Sequence, residues 1–437
     1  MAALCAGGCA PHTPAIATDP AAALQQRTGA NARTERTAPA DLPAGIVVDD
    51  GLTADEAVAV ALWNSPGFQV SVSDLGFARA DLLEAGLLTN PVLSLLFPVG
   101  PKQLEATLRW PIEVLWERPR RVAAARLALD VAAQRLVQAG LDLVVSVRLA
   151  YTDLALAVDR QQLAREAAAL LTRIDTLMQS RLATGDISEL EARAARIDAA
   201  RASQDADRTA YDIEIMRGRL RLLLGLPVDS GTVTLAPVPG PAPCAPAVTL
   251  LRDALIARPD VRAAELALQG AAARLGWEQS RILTLTAVLD ANGRGVDGFE
   301  AGPGVDASLP IFNRNQGGRA RAAAELQRSA AAYALIQQQV AVEIREAGAQ
   351  VAQATESRGA WRERIIGPLQ ANLADAERSF AEGETSYLFV LENSRRLTEA
   401  RLRERELEAD TQRARARIER AIGRTCDAPP LEVARDR

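Results

Sequence analysis

The sequence predicts a mainly α-helical protein with a small β part, built as a tandem duplication. Three observations lead to this fold class: residues 120–181 contain no proline, apolar residues recur through them at every seventh position, and short alternating segments precede two such stretches. A spacing of seven follows one side of a long helix, whereas strict alternation follows the two faces of a strand. We therefore expect long helical hairpins joined to short β-hairpins.

The longest helix is predicted from about residue 119 to residue 181. Pro119 precedes the uninterrupted stretch, and proline suits the first turn of a helix. A repeat of seven keeps one stripe of the helix facing a partner, as in a coiled coil. At 1.5 Å per residue the helix would be roughly 93 Å long. The apolar positions of the stripe are Leu129, Leu136, Leu143, Ala150, Ala157, Ala164, Leu171 and Met178.

Composition argues against several functional classes. The net charge is −5 and both signs are mixed along the helices, so no basic face is available for nucleic acid. The one histidine is His12, and the four cysteines form neither a CxxC pair nor a zinc spacing. We therefore predict no catalytic residue, no metal site and no cofactor. The chain also has no apolar run long enough for a membrane-spanning helix, so a membrane crossing would have to use strands.

Residues 1–50 are predicted to be a signal remnant and linker. The end of this signal is indicated by Ala6-Gly7-Gly8-Cys9, because small residues precede the acylated cysteine of bacterial lipoproteins. We therefore predict lipidation of Cys9, with an unstructured alanine-rich start as the alternative. The first structural repeat, residues 51–227, then opens at Thr53, whose capping-box partner is Glu56.

A β-hairpin is predicted at about residues 91–111, before the long helix. Residues 104–110 alternate apolar and polar side chains, so Leu108 and Arg109 would lie on opposite faces. After the long helix, Gly185 marks a tight turn into a return helix at about residues 187–224. An equatorial linker is predicted at residues 228–247.

The second half of the chain repeats the first. A shift of 198 residues places Gly185 on Gly383 and Gly225 on Gly423, which indicates a duplication. Pro368 is expected to kink the second long helix. The predicted second repeat spans residues 248–425, with a β-hairpin at about 282–310, a long helix at about 319–380 and a return helix at about 386–423, followed by a C-terminal tail at 426–437.

Four strands are too few to close a barrel, since about eight strands is the smallest number whose interior can be filled. Open strand edges do not persist in lipid, so strands from several copies of the chain would have to be pooled. The attached helices would then continue the wall, and the product would be a conduit. A cytosolic coiled-coil scaffold is the alternative. It gives no reason for two strand pairs placed identically before two long helices.

The segment Leu309-Pro-Ile-Phe-Asn-Arg-Asn-Gln-Gly317, followed by a helix at Arg319, resembles a strand-to-helix turn of the TolC-like outer-membrane efflux proteins. The similarity is greatest to their CzcC-like heavy-metal efflux branch. Arg258-Pro259-Asp260, Asn90-Pro91 and residues 224–227 are also positioned as in that family. The resemblance covers about residues 50–425.

This resemblance implies a duplicated TolC-like fold in a homotrimer. Four strands per protomer would contribute to a 12-stranded transmembrane β-barrel in outer-membrane lipid, and the helical hairpins would form a periplasmic α-barrel. The implied partners are a periplasmic adaptor and an inner-membrane RND-type pump. The implied function is an exit duct for small solutes, with heavy-metal cations among the candidates. The duct of a type I protein-secretion system is the alternative within transport.

The resemblance also assigns roles to the turns between the helices. The tips would dock the adaptor, through Thr184, Gly185, Asp186, Glu382, Gly383 and Glu384. The alternative is that the glycines are helix caps only. Phe389 and Glu392 would form a gate at the periplasmic mouth.

Two cysteines lie shortly beyond the ends of the repeats, Cys244 in the linker and Cys426 in the tail. Both would lie in the equatorial belt that the resemblance implies. Because the periplasm is oxidising, we predict a disulfide between them, with two free buried thiols as the alternative.

Overall fold

The computed structural model describes residues 16–34, 42–47, 51–97, 104–227, 233–237, 247–293 and 298–426. A π-helical segment, Arg362–Ile366, joins two of its helices. The elements in chain order are α1 (Pro20–Thr28), α2 (Ala54–Asn64), α3 (Pro66–Gly86), β1 (Val92–Leu96), β2 (Glu105–Pro111), α4 (Val114–Thr184), α5 (Glu189–Leu224), α6 (Ala247–Ala257), α7 (Pro259–Ser280), β3 (Leu285–Gly293), β4 (Phe299–Ala307), α8 (Gln316–Trp361), α9 (Gly367–Ala381) and α10 (Tyr387–Ile422).

The predicted long helix is α4, which has 71 residues and is roughly 107 Å long. It begins at Val114, earlier than predicted, and Pro119 lies inside it. The extra turn forms because the Leu115 N–H donates to the Ile112 carbonyl at 3.1 Å and the next residue donates in the same way. Only one helical hydrogen bond is lost at Pro119, since proline lacks an N–H.

The second long helix is divided into α8 and α9. The π-helical segment ends directly before Gly367 and Pro368, where the sequence predicted a kink. Pro368 has no N–H to give to the carbonyl of the preceding turn, and a wider π turn accommodates that loss. The Trp361 Nε1–H donates to the Ala400 carbonyl at 3.0 Å and holds the segment against α10.

Helix α1 lies in the segment that was predicted to be an extended linker. Its Leu24 is fully buried. A methyl group on Gly140 of α4 would lie 2.6 Å from Leu24 Cδ2, so the leucine packs directly against this glycine. Tertiary contact therefore stabilises α1, although its sequence has no apolar period that predicts a helix.

The four strands form one antiparallel sheet in the order β1-β2-β3-β4. The two hairpins meet where β2 pairs with β3, for example at Leu108 and Leu289. Strands β1 and β4 are the two edges, and neither pairs with a further strand among the described residues. In that same part of the chain, no helix is both long enough and apolar enough to cross a membrane.

The chain divides into two compact units, and each unit draws on both sequence repeats. The first comprises Met1–Pro20, Ser71–Gln138 and Arg258–Gln339; it contains the whole sheet and a small core centred on Val131. The second comprises Ala21–Val70, Ala139–Ala257 and Val340–Arg437, and it contains both turns between long and return helices. These units are spatial clusters, so the repeat boundaries stay predictions.

Replacing Gly225 by alanine is expected to lower the free energy of unfolding by about 2–4 kcal/mol. Gly225 caps α5 with φ +65°, and a methyl group there would lie 2.4 Å from the Asn64 carbonyl oxygen, a backbone atom that no rotamer change can move. Gly218→Ala in the same helix is the control, since nothing lies within 4 Å of the added methyl. It should stabilise by about 0.5–1 kcal/mol. Denaturant titration measures both, and equal effects would contradict the prediction.

Candidate functional site

One face of the sheet is apolar throughout. The strand register aligns Leu93, Leu108, Leu289 and Pro303 in one row across all four strands. The remaining residues of this face are Leu95, Ala106, Trp110, Leu285, Ala287, Ala291, Gly293, Phe299, Ala301, Val305 and Ala307. Most of its large side chains are exposed, including Leu93 at 60% and Phe299 at 66%. An apolar face of this extent, left uncovered, marks a surface that contacts lipid or another protein.

The opposite face of the sheet carries charged and polar side chains. The Thr107 hydroxyl donates to Asp290 Oδ1 at 2.8 Å, and Asn292 donates to the other oxygen of that carboxylate at 3.0 Å. Arg109 lies 3.8 Å from Asp306, at the salt-bridge limit. One face is therefore suited to an apolar environment and the other to water, as in strands that line a lumen.

The first tip joins α4 to α5 by a tight turn. Gly185 has φ +81°, which favours glycine, and the Asp186 N–H donates to the Arg181 carbonyl at 2.9 Å. The Thr184 hydroxyl donates to Asp186 at 2.8 Å. The three predicted residues of this tip therefore form one hydrogen-bonded turn. A capping box between Ser188 and Glu191 then starts α5, and the hydrogen bonds from Ser188 lower the pKa of the Glu191 carboxyl.

The second tip repeats this geometry between α9 and α10. Gly383 also has φ +81°, and the Glu384 N–H donates to the Ser379 carbonyl at 2.8 Å. Glu382 closes the last helical turn by donating its N–H to the Arg378 carbonyl at 3.1 Å. The two copies of the repeat therefore end in the same backbone motif.

The two tips are joined by a contact that sequence reasoning did not identify. Arg181 donates to the Phe380 carbonyl at 2.9 Å, and its guanidinium lies 4.7 Å from the centroid of the Phe380 ring. A cation at the C-terminus of α9 is favoured by the helix dipole. Below it lies an apolar cluster built from all four helices: Ile174, Met178, Ala195, Ala376, Phe380, Tyr387 and Val390. An arginine in the last turn of a long helix was the available sequence signal.

A second polar link crosses the same region. The Tyr387 hydroxyl donates to Asp198 Oδ2 at 3.0 Å. Burial raises the pKa of Tyr387, and the negative charge of Asp198 raises it further. The phenol therefore stays protonated and can keep donating at any physiological pH.

Beside the tips, two equivalent leucines project outward. Leu190 follows the first tip and is 76% exposed, and Leu388 follows the second tip and is 70% exposed. The equivalent residues two positions later, Ala192 and Val390, are buried. Each return helix therefore exposes a leucine near its start, two positions before a buried apolar side chain.

The predicted gate residues lie one turn apart on α10. Phe389 is 54% exposed. Glu392 is half-exposed and accepts a hydrogen bond from Arg396 at 2.8 Å, so its charge is paired. Phe389 occupies the position that Glu191 takes in the first copy, and accordingly Ser386 caps α10 without a side-chain hydrogen bond. Their role in a gate stays a prediction.

Cys9 and Cys244 lie outside the described residues, so their predicted lipidation and pairing stay predictions. Cys426 is disulfide-bonded, and none of the other three cysteines is among the described residues. Across the described ranges, no three His, Cys, Asp or Glu side chains cluster closely enough to hold a metal ion.

Comparison with known proteins relates this architecture to a family. Residues 250–424 match the family model described as outer membrane efflux protein. The chain is 26% identical over 382 residues to the cobalt-zinc-cadmium resistance protein CzcC of Cupriavidus metallidurans, which covers 85% of this chain and 90% of CzcC.

Solved structures share the fold at low sequence identity. The outer membrane protein VceC from Vibrio cholerae has a TM-score of 0.69 at 20% identity, covering 86% of this chain and 97% of VceC. The outer membrane channel CmeC of Campylobacter jejuni has a TM-score of 0.74 at 15% identity, covering 85% of each chain. The predicted fold class is confirmed. The second half of the chain therefore matches the outer membrane efflux protein family, and most of its length shares the fold of solved outer membrane channels.

Proposed function

We propose that the chain is the outer-membrane channel subunit of a tripartite efflux pump and that it conducts solutes rather than catalysing a reaction. The observation that carries this proposal is the sheet. It has one exposed apolar face, one charged face and two unpaired edges within the described residues. Edges of this kind are stable in lipid only when they pair, so strands from three protomers would complete a closed wall.

The cargo is proposed to be small solutes, and heavy-metal cations in particular, which pass from the periplasm or the pump to the exterior. CzcC is described as a cobalt-zinc-cadmium resistance protein, and it aligns with 85% of this chain. Deletion of the gene should make the host more sensitive to these three cations. Restored resistance on complementation would support the cargo, whereas sensitivity to organic solvents alone would contradict it.

The channel itself is tested by fractionation. We expect a trimer in the outer membrane that dissociates only on heating in detergent. A soluble monomer or rod would overturn the channel and favour a cytosolic scaffold. Loss of a secreted protein, without loss of solute export, would favour the duct of a secretion system.

The tips are proposed to dock a periplasmic adaptor that connects the channel to an inner-membrane RND-type pump. Leu190 and Leu388 support this proposal, because each places an exposed apolar side chain next to a rigid hydrogen-bonded turn. Such a surface suits the apolar face of a partner's helical hairpin. The predicted docking residues Gly185 and Gly383 would then expose backbone to that partner.

Phe389→Ala and Glu392→Ala are expected to raise single-channel conductance of the reconstituted trimer. In the proposed gate, Glu392 faces the lumen of the periplasmic mouth, and Phe389 forms an apolar constriction beside it. Ile197→Ala on α5 is the control, since it removes a similarly exposed apolar side chain outside the gate. Unchanged conductance in both gate variants would rule the gate out.

Lipidation of Cys9 is proposed to anchor the N-terminal segment. The Ala17 N–H donates to Asp130 of α4 at 3.4 Å. The eight residues from Cys9 to Ala17 reach at most about 28 Å, and the part of α4 from Val114 to Asp130 spans about 24 Å. An acyl chain on Cys9 could therefore reach the level of the strands. Mass spectrometry should find it in the wild type and in Cys5→Ser but not in Cys9→Ser.

Cys244 is proposed as the disulfide partner of Cys426. Non-reducing peptide mapping should yield one peptide pair that joins these two cysteines and separates on reduction. A pair that joins Cys426 to Cys5 or Cys9 would contradict the assignment, and a pair with Cys9 would also contradict the lipidation of Cys9.

A further inference from the structure

A cavity of about 570 Å³ lies within the second unit, between α4, α5, α10 and the segment 233–237. This volume is in the range of small-molecule sites in proteins, about 300–1,000 Å³. Val158 lines the cavity and is 42% exposed, so the cavity opens to solvent on that side. The rest of the apolar lining is buried and includes Leu154, Ile213, Val233 and Ala409.

The segment 233–237 is held firmly as one wall of the cavity. The Leu52 N–H donates to the Thr234 carbonyl at 2.9 Å, and the Ala236 N–H donates to the Leu52 carbonyl at 3.0 Å. The Tyr151 hydroxyl lies 3.0 and 3.1 Å from the carbonyl oxygens of Leu52 and Ala236 and donates its hydrogen between them. The cavity is therefore preformed, and binding a ligand does not have to order this wall.

One carboxylate at the cavity lacks a hydrogen-bond donor. Asp159 lies 3.8 Å from Arg405 Nε, at the salt-bridge limit, and it accepts no hydrogen bond within the described part of the chain. Arg405 makes its closer contact with Glu408, at 3.2 Å. Burial raises the pKa of Asp159, and the charge of Arg405 offsets only part of that rise. A carboxylate beside apolar surface is stabilised by a donor that carries positive charge.

Neighbouring parts of the chain do not supply that donor. The second arginine of the cavity, Arg217, is already paired with Glu214. The sequence segments that adjoin the wall, residues 228–232 and 238–246, contain no lysine or arginine. The missing positive charge at Asp159 is therefore one that a ligand can bring.

We propose that this cavity is a binding site for an organic cation, an amine or guanidine that donates to Asp159 and packs its apolar body on Leu154, Ile213 and Ala409. The apolar lining distinguishes such a ligand from a hydrated metal ion, and the carboxylates of Asp159 and Glu408 disfavour an anion. A bound cation would join α4 and α5 of the first repeat to α10 of the second. The cavity lies within one protomer, so the inference does not depend on whether the chain conducts solutes.

Fluorescence titration of the purified full-length protein with two matched dyes tests the site. Dansylcadaverine carries an ammonium group, whereas dansylglycine carries a carboxylate on the same fluorophore. We expect saturable binding of dansylcadaverine, and binding of dansylglycine that is at least about ten-fold weaker. Asp159→Asn should weaken dansylcadaverine binding by about ten-fold or more, because it removes a charge-assisted hydrogen bond.

Two further variants separate the cavity from the rest of the surface. Val158→Trp fills the open side of the cavity and should abolish saturable binding, and the exposed position allows the variant to fold. Glu166→Gln is the control, since this exposed carboxylate of α4 pairs with Arg401 at 3.4 Å outside the cavity and its loss should leave the affinity unchanged. Equal affinity in the wild type and Asp159→Asn, or equal affinity for the two dyes, would overturn the inference. Absence of saturable binding to the wild type would also overturn it and would favour a segment of a neighbouring copy as the occupant.

Discussion

Replacing Leu108 by arginine is expected to abolish assembly of the trimer in the outer membrane. Leu108 lies in the centre of the apolar face, between Leu93 and Leu289. An arginine on a lipid-facing strand position costs about 2–4 kcal/mol at the middle of a bilayer, and a trimer would carry it three times. The heat-modifiable trimer should therefore disappear from outer-membrane fractions, and denaturant titration of any residual trimer in nanodiscs should show reduced stability.

Thr107→Arg is the matched control for this prediction. Thr107 is the neighbouring residue in the same strand, but its side chain lies on the polar face and donates to Asp290. An arginine there replaces a hydroxyl beside a carboxylate, so the trimer should still assemble. If both variants assemble equally well, the apolar face does not meet lipid, and the proposed channel loses its main support.

Replacing Arg258 by alanine is expected to lower the free energy of unfolding by about 3–5 kcal/mol. The Arg258 side chain is 1% exposed and donates through Nε and Nη2 to the two oxygens of Asp260, at 3.0 and 2.6 Å. The substitution leaves a largely buried carboxylate without its cation. Arg258→Lys should recover only part of the loss, since an ammonium cannot make the two parallel bonds.

Arg262→Ala is the control, measured by the same denaturant titration. Arg262 lies one turn further along α7 and pairs with Glu265 at 2.6 Å, but its side chain is 49% exposed. An exposed pair of this kind contributes less than about 1 kcal/mol. Equal losses in the free energy of unfolding would show that the buried Arg258–Asp260 pair stabilises the fold no more than an exposed pair does.

At the helical tips, the turns could be predicted from the local sequence, but the contact between the tips could not. Gly185 and Gly383 were predicted as turns from their place after a long periodic stretch, and both adopt the same left-handed backbone. The contact between Arg181 and Phe380 was not predicted, because it joins residues 199 positions apart. No periodic pattern relates one arginine to a carbonyl on another helix.

The sequence by itself determined the long and return helices, the tip turns, the alternating hairpin strand and the duplication. Each depends on the hydrogen-bonding period of one segment or on a comparison of the chain with itself. The tertiary structure alone decided that β2 pairs with β3, which brings Thr107 to Asp290 across 183 residues and aligns the apolar residues of both hairpins on one face. It also decided that α1 docks on Gly140. Such choices depend on which edges and surfaces meet in space, and periodicity within a segment does not encode that.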